Sequence, residues 1–222
     1  MNLGMIKNHL NNFSKIKILY WDNGGIAEPI RMVLRYRGIK FEDVYVTNEE
    51  WINGVKDQMP WNNLPIVIFE ENNQTEILCQ SKSILKYFGK KLNLYDNLYI
   101  NQYKIDQYID TMEDTYKIFT PLYKMNNENK LKEIQKLCKK GGEFWELLNL
   151  WNKNIKNKFL VNSKMTIADI YVLALFKIIF EGLIDGVSKN ILNNFPILKE
   201  YLEFVEFNYN QTLKRKKKNI FS

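Results

Sequence analysis

The hydrophobic period of this chain changes once, near residues 93–97, and that change restricts the fold to two successive kinds of layer. Before it, apolar runs at 16–20, 41–46, 65–69 and 75–79 read as strands. Between them, 3.6-period segments at 25–38 and 81–91 read as helices, and 47–64 is an irregular stretch containing tryptophans. After the change nearly everything reads as helix, at 99–124, 128–156, 166–182 and 195–209. The pattern predicts a small α/β layer followed by an all-α bundle. We divide the chain into a flexible extension at 1–15, an α/β domain at 16–94, a helical domain at 98–210 and a basic C-terminal tail at 211–222. With 222 residues, 45% of them hydrophobic, it has enough apolar material for a substantial core.

Charge and rare residues exclude several kinds of chemistry. Much of the net charge of +7 lies in the run at 214–218, which reads as a solvated tail. No aromatic stacking platform or Gly-rich phosphate loop accompanies those lysines, so nucleic acid is not an expected partner. The longest apolar stretch, 167–180, is interrupted by Asp169 and Lys177 and falls short of the roughly 18 residues of a membrane span. It reads as a buried core helix, and stable membrane insertion is not expected. Cys79 and Cys138 are far apart and form no Cys-x-x-Cys, which suits a reduced, cytoplasmic protein. The sole histidine, His9, lies in the N-terminal extension. Histidine-based triads and a histidine-ligated zinc site are therefore not expected, and no metal is assigned.

The residues that carry chemistry cluster around turns. The first strand ends on Tyr20, passes through Gly24 and Gly25 and enters a helix whose apolar positions include 26, 30, 33 and 34, with Arg31 and Arg35 on the other face. Tyr20 thus sits in a β-to-α turn, where open α/β sheets bind ligands; a buried tyrosine with a satisfied hydroxyl is the alternative. Asn63-Leu64-Pro65 starts a strand with a proline, where a missing ladder donor is tolerated, and trans is the default geometry there. Gln80-Ser81 opens a helix with Ser81 as N-cap, a place for either plain capping or a carboxylate ligand. Asp106, Asp110, Glu113 and Asp114 share one helix face, as solvated surface or as a site for an ammonium group. Thr166 and Asp169 read as a helix start, with Met165 and Ile170 as a staple across it.

Together these residues resemble the cytosolic glutathione transferases over about 16–209. Tyr20-Trp21-Asp22 with Gly25-Ile26-Ala27, Asn63-Leu64-Pro65 and Gln80-Ser81-Lys82-Ser83 are similar to the mu class, and the acidic run at 105–114 is similar to the sigma class. The resemblance implies a thioredoxin-like N-terminal domain, a helical C-terminal domain and a homodimer. It implies that Tyr20 hydrogen-bonds the glutathione sulfur and that the backbone of Leu64, before a cis Pro65, pairs with the cysteinyl unit. Gln80 and Ser81 would hold the γ-glutamyl carboxylate, and Trp51 and Lys56, with Asn63 nearby, the glycyl carboxylate. Trp21 is placed in the same glutathione site. Asp114 would meet the γ-glutamyl ammonium across the dimer. Ile26, Tyr116 and Tyr123 would line the site of a small hydrophobic electrophile. Glutathione enters as a co-substrate, and no cofactor is implied. Where mu proteins carry an arginine before the loop tryptophan, this chain has Asn48-Glu49-Glu50.

The chemistry agrees with that expectation. Glutathione has two carboxylates, one ammonium and one thiol, and the constellation offers cationic or amide donors, one acid and one phenol. Moving a thiol from about pKa 8.5 to about 7 takes about 2 kcal/mol of thiolate stabilisation. One hydrogen bond to a charged group supplies about 1.5–3 kcal/mol, so a single tyrosine suffices. The expected activity is conjugation of glutathione to small hydrophobic electrophiles; the alternative is a non-catalytic ligand-binding or scaffold protein of the same fold.

Overall fold

A computed structural model describes residues 16–71, 74–181, 184 and 186–218. The N-terminal extension with His9 and the last four residues lie outside the described residues. The chain divides into two compact units, the first reaching Tyr95 and including residues 216–218, the second spanning Asp96–Arg215.

In the first unit β1 (Lys17–Tyr20) leads through a 3₁₀ turn (Gly25–Ala27) into α1 (Glu28–Arg37), and β2 (Glu42–Tyr45) follows. After a run of short helical turns come β3 (Ile66–Glu71), β4 (Gln74–Cys79) and α2 (Ser81–Lys91). The sheet order is β2-β1-β3-β4, with β1 parallel to β2 and antiparallel to β3, and β3 antiparallel to β4. This mixed sheet is of the expected thioredoxin-like kind, because a parallel β1–β2 pair needs the α1 crossover whereas β3 and β4 need only a short turn. Ile18, Ile66, Val67 and Phe69 from the sheet are buried together with Ile30, Val33 and Leu34 of α1 and Ile84, Leu85 and Phe88 of α2. The two helices pack on one another. Pro29 in the first turn of α1 needs no donor there, and Gly38 closes that helix in a left-handed conformation at φ 73°.

The second unit holds α3 (Tyr99–Lys117), α4 (Asn127–Cys138), α5 (Glu143–Asn154), α6 (Ile167–Glu181) and, as far as Arg215, α7 (Pro196–Lys218). As expected from its composition, α6 is a core helix, with twelve of its fifteen residues buried. It packs on α3, while α4 packs on α5. None of the described helices is long and apolar enough to cross a membrane. Trp151 of α5 donates from Nε1 to Thr115 Oγ1 at 3.0 Å, satisfying two polar groups inside the apolar bundle.

Three helix expectations change. The segment read as one helix over 128–156 is two, because the chain turns at Gly141 and Gly142. A Cβ on Gly142 would stand 2.3 Å from the Lys136 carbonyl oxygen, so only glycine allows that close return. The helix expected to reach 124 stops at Lys117, and Pro121 opens the 3₁₀ turn Thr120–Lys124 instead. The last helix runs on to Lys218, so residues 211–218, expected as a tail, are helical.

The Thr166 start is built differently from a simple hydroxyl cap. Asp169 accepts from the Thr166 amide at 2.8 Å and hydroxyl at 2.9 Å, and also from the Leu160 amide at 2.8 Å and the Tyr201 hydroxyl at 3.1 Å. One fully buried carboxylate thus ties the start of α6 to the preceding loop and to α7.

Candidate active site

Register gathers the first unit's site residues at one end of the sheet. Leu19 pairs with Ile66 and Ile66 with Cys79, so Tyr20, Pro65 and Gln80 are the next residues outward on β1, β3 and β4. On β2 Tyr45 pairs with Tyr20, and the Val46 amide donates to the Tyr20 carbonyl at 2.9 Å. From there the chain enters the turns that carry Trp51. Segments separated by sixty residues in sequence therefore present their ends side by side.

Tyr20 is buried, with 7% of its surface exposed. Its hydroxyl end lies against Gly25, which adopts φ +41°, and the Arg31 guanidinium carbon stands 5.8 Å from the centre of its ring. Trp21 and Trp51 meet edge to face, with ring centres 5.7 Å apart and planes 76° apart. This contact fixes the irregular loop beside the tyrosine turn. Lys56 is exposed five residues further along, past a π-type turn (Trp51–Val55) in which Gly54 takes φ 130°.

The Leu64–Pro65 peptide bond is cis, unlike the trans default for such a position. Just before it Asn63 has extended backbone, and its buried Oδ1 has no hydrogen-bond partner among the described residues. Ser81 is the first helical residue of α2, not its N-cap. Gln80 takes the cap position, with φ 70° and no capping bond from its side chain. A non-glycine residue held in the left-handed region is strained, and such strain concentrates where backbone is shaped for a ligand. The N-terminus of α2 adds the partial positive charge of its amides to this end of the sheet.

In the second unit the acidic face of α3 is divided. Asp110 and Asp114 are exposed, whereas Glu113 is half-buried and accepts a 2.5 Å hydrogen bond from the Tyr171 hydroxyl of α6. Burial and that carboxylate push the Tyr171 phenol far above its ordinary value. Tyr116 is buried and Tyr123 half exposed, with their hydroxyls 2.9 Å apart. Among the described residues no group of His, Cys, Asp and Glu is arranged to hold a metal ion.

Two features escape the reading of the sequence. Arg31, placed on the polar face of α1, is buried at 3% exposure. Thr47-Asn48-Glu49-Glu50 forms a capping box, in which Thr47 Oγ1 accepts from the Glu50 amide at 3.2 Å and Glu50 accepts from the Thr47 amide at 2.8 Å. The bond from the Thr47 amide foremost, and then the one its hydroxyl donates to the same carboxylate at 2.9 Å, hold the Glu50 carboxyl below the usual range. The Thr-x-x-Glu spacing is a recognised signal for this turn; Arg31 has no comparable local signal.

The family model for the "Glutathione S-transferase, C-terminal domain" matches residues 112–210. A glutathione S-transferase of Plasmodium yoelii yoelii is 31% identical over 189 residues, covering 82% of this chain and 83% of that protein. The class-mu 28 kDa isozyme of Schistosoma mansoni is 26% identical over 201 residues, covering 84% of this chain and 94% of that protein. Among solved structures, the Fasciola hepatica sigma class enzyme superposes with a TM-score of 0.78 over 94% of this chain and 97% of its own, at 21% identity, a likeness of fold.

Proposed function

Because this chain belongs to the glutathione transferase family, we propose that it transfers the glutathione thiolate to small hydrophobic electrophiles, with Tyr20 as the residue that stabilises the sulfur anion. The observation that carries this reading is the shared end of β1, β3 and β4, where Tyr20, cis-Pro65 and Gln80 are neighbours in register.

In this reading the Tyr20 hydroxyl donates to the sulfur and lowers the cost of losing the thiol proton to water. A hydrogen bond to a charged acceptor contributes about 1.5–3 kcal/mol, enough to bring a thiol from about pKa 8.5 to about 7. The backbone of Leu64 pairs with the cysteinyl unit of the peptide, and Gln80 and Ser81 at the start of α2 hold the γ-glutamyl carboxylate. Trp51 and Lys56, beside Asn63, take the glycyl carboxylate, and the edge-to-face contact with Trp21 supports the position of Trp51. The thiolate then attacks the electrophile, the new sulfur–carbon bond forming as the leaving group departs with the electron pair. The enzyme needs no nucleophile of its own. A cytoplasmic homodimer would complete the site, with Asp114 of the partner subunit meeting the γ-glutamyl ammonium; the exposure of Asp114 suits that role.

The test is steady-state turnover of glutathione with a chlorinated aromatic substrate by wild type and Tyr20→Phe, alongside ultraviolet titration of the bound thiolate. We expect kcat/KM at neutral pH to fall by roughly tenfold or more in the variant and the bound thiol to titrate about one unit higher. Equal rates and equal titration would remove Tyr20 from the mechanism.

A further inference from the structure

After α5 the chain runs without helix or strand from Ile155 to the start of α6, and its first residues form one wall of a groove whose other wall is the start of α7. The groove encloses about 610 Å³, with Ile155, Tyr201 and Phe204 along its floor, Lys156 and Lys158 on one rim, and Ile197 and Glu200 on the other. Both walls are anchored. Asn152 of α5 accepts from the Ile197 and Leu198 amides at 2.9 and 3.1 Å, and Asp169 accepts from the Leu160 amide and the Tyr201 hydroxyl at 2.8 and 3.1 Å. At the near end the Ile155 amide donates to the Trp151 carbonyl at 3.1 Å. The segment between Ile155 and Leu160 is thus held at both ends, while the amides of Lys156, Asn157 and Lys158 meet no acceptor among the described residues.

The charges along this groove are unpaired. Lys132, Lys136 and Lys177 of the same unit each meet a carboxylate. Neither Lys156 nor Lys158 is in an ion pair among the described residues, and Glu200 on the far wall pairs with neither. The Lys156 ammonium bonds the carbonyl of Lys153, and that of Lys158 stands 5.4 Å from the centre of the Phe204 ring, whose edge-to-face neighbour is Phe159 at 5.3 Å. Each ammonium therefore keeps donors for an anion that enters from solvent. Shape decides which anion. Small-ligand sites enclose most of their occupant, whereas this groove is open, only Ile155 and Tyr201 of its lining being buried. A membrane surface is flat and cannot reach that floor. Stacked nucleic-acid bases need a free aromatic face, and Phe204 already carries Lys158. An extended chain segment fits, because its backbone can pair with the idle amides while an apolar side chain covers the floor and its carboxylates meet the lysines.

We propose that this groove docks an extended acidic segment of a partner protein, with one large apolar side chain seated over Ile155 and Tyr201 and the neighbouring carboxylates on Lys156 and Lys158. Glu200 supplies selectivity: it repels acids from its own wall, so the acids of the segment lie toward the loop. The site uses none of the residues around Tyr20 and does not depend on the glutathione reading.

Fluorescence anisotropy with the full-length protein tests it, the probe being fluorescein-labelled Glu-Asp-Glu-Leu-Phe-Glu-Asp-Glu. Saturable binding in the micromolar range is expected, weakening as salt rises. Lys156→Glu with Lys158→Glu should weaken it roughly tenfold or more, and a probe with Ser-Ser in place of Leu-Phe should lose a similar factor. Lys132→Glu with Lys136→Glu changes the net charge equally and should leave the affinity within about twofold of wild type. Glu200→Gln should tighten binding roughly two- to fivefold, a gain that misfolding cannot imitate. Thermal melting checks that each variant is folded. Absence of saturable binding, equal losses from the two charge reversals, or an affinity unmoved by Glu200→Gln overturns the proposal. So does displacement of the probe by S-methylglutathione, which would put the peptide in the active site, or binding of phosphatidylserine vesicles through Lys156 and Lys158 with none of the peptide.

Discussion

The hydroxyl end of Tyr20 rests on the backbone of Gly25: a Cβ built on that glycine would stand 2.5 Å from Tyr20 Oη and 2.7 Å from its Cε1. The first residue of the 3₁₀ turn therefore sets the position of the phenol, by occupying φ +41° and by having no side chain.

Gly25→Ala is expected to lower kcat/KM by roughly tenfold or more, because the tyrosine must move, and to cost about 1–2 kcal/mol of stability from the left-handed backbone alone. Gly141→Ala is the control. Its φ is +81° and nothing lies within 4 Å of the added carbon, so it carries the backbone cost without touching the site. Steady-state kinetics and thermal melts on both variants check this, and equal activity losses would contradict it.

Asp169→Asn should destabilise the helical unit. The amide keeps one acceptor for Leu160 and Tyr201 but turns a donor toward the Thr166 amide, 2.8 Å away inside the core. An expected loss of about 2–3 kcal/mol corresponds to a melting temperature lower by roughly 4–12 °C, measured by calorimetry.

Tyr171→Phe removes a 2.5 Å hydrogen bond to Glu113, whose side chain remains 19% exposed. Water can reach the abandoned carboxylate, so the expected cost is modest, about 1 kcal/mol in denaturant unfolding. A loss of several kcal/mol would mean that Glu113 is sealed from solvent.

Cys138 should resist thiol reagents while the protein is folded. Burial pushes its thiol up to about 11, so at pH 8 only about 0.1% is thiolate, and that fraction grows about tenfold with each pH unit up to the pKa. Intact-mass analysis after iodoacetamide treatment at pH 8 should show Cys138 unmodified in native protein and alkylated at an ordinary rate in guanidinium. Rapid native labelling at pH 8 would contradict the burial.

The strands, α1, α2 and the apolar α6 were legible in the chain because period and capping are local properties. The end of α2 at Lys91 follows from its own residues, as does the burial of 167–176, 178 and 179. The break at Gly142 was missed because it depends on a close return toward the carbonyl of Lys136. Glu113 reads as one more acid on a polar face until Tyr171, fifty-eight residues later, is placed against it.

By itself the sequence determined the order of layers, the tyrosine after the first strand, and the acids and amides carried by the turns and by α3, since these follow from neighbours a few residues apart. Only the tertiary structure decided that Tyr20, Pro65 and Gln80 share one sheet end and that Arg31 turns inward beneath the phenol. Strand register and the burial of a charge depend on contacts between distant segments, which a helical period cannot encode.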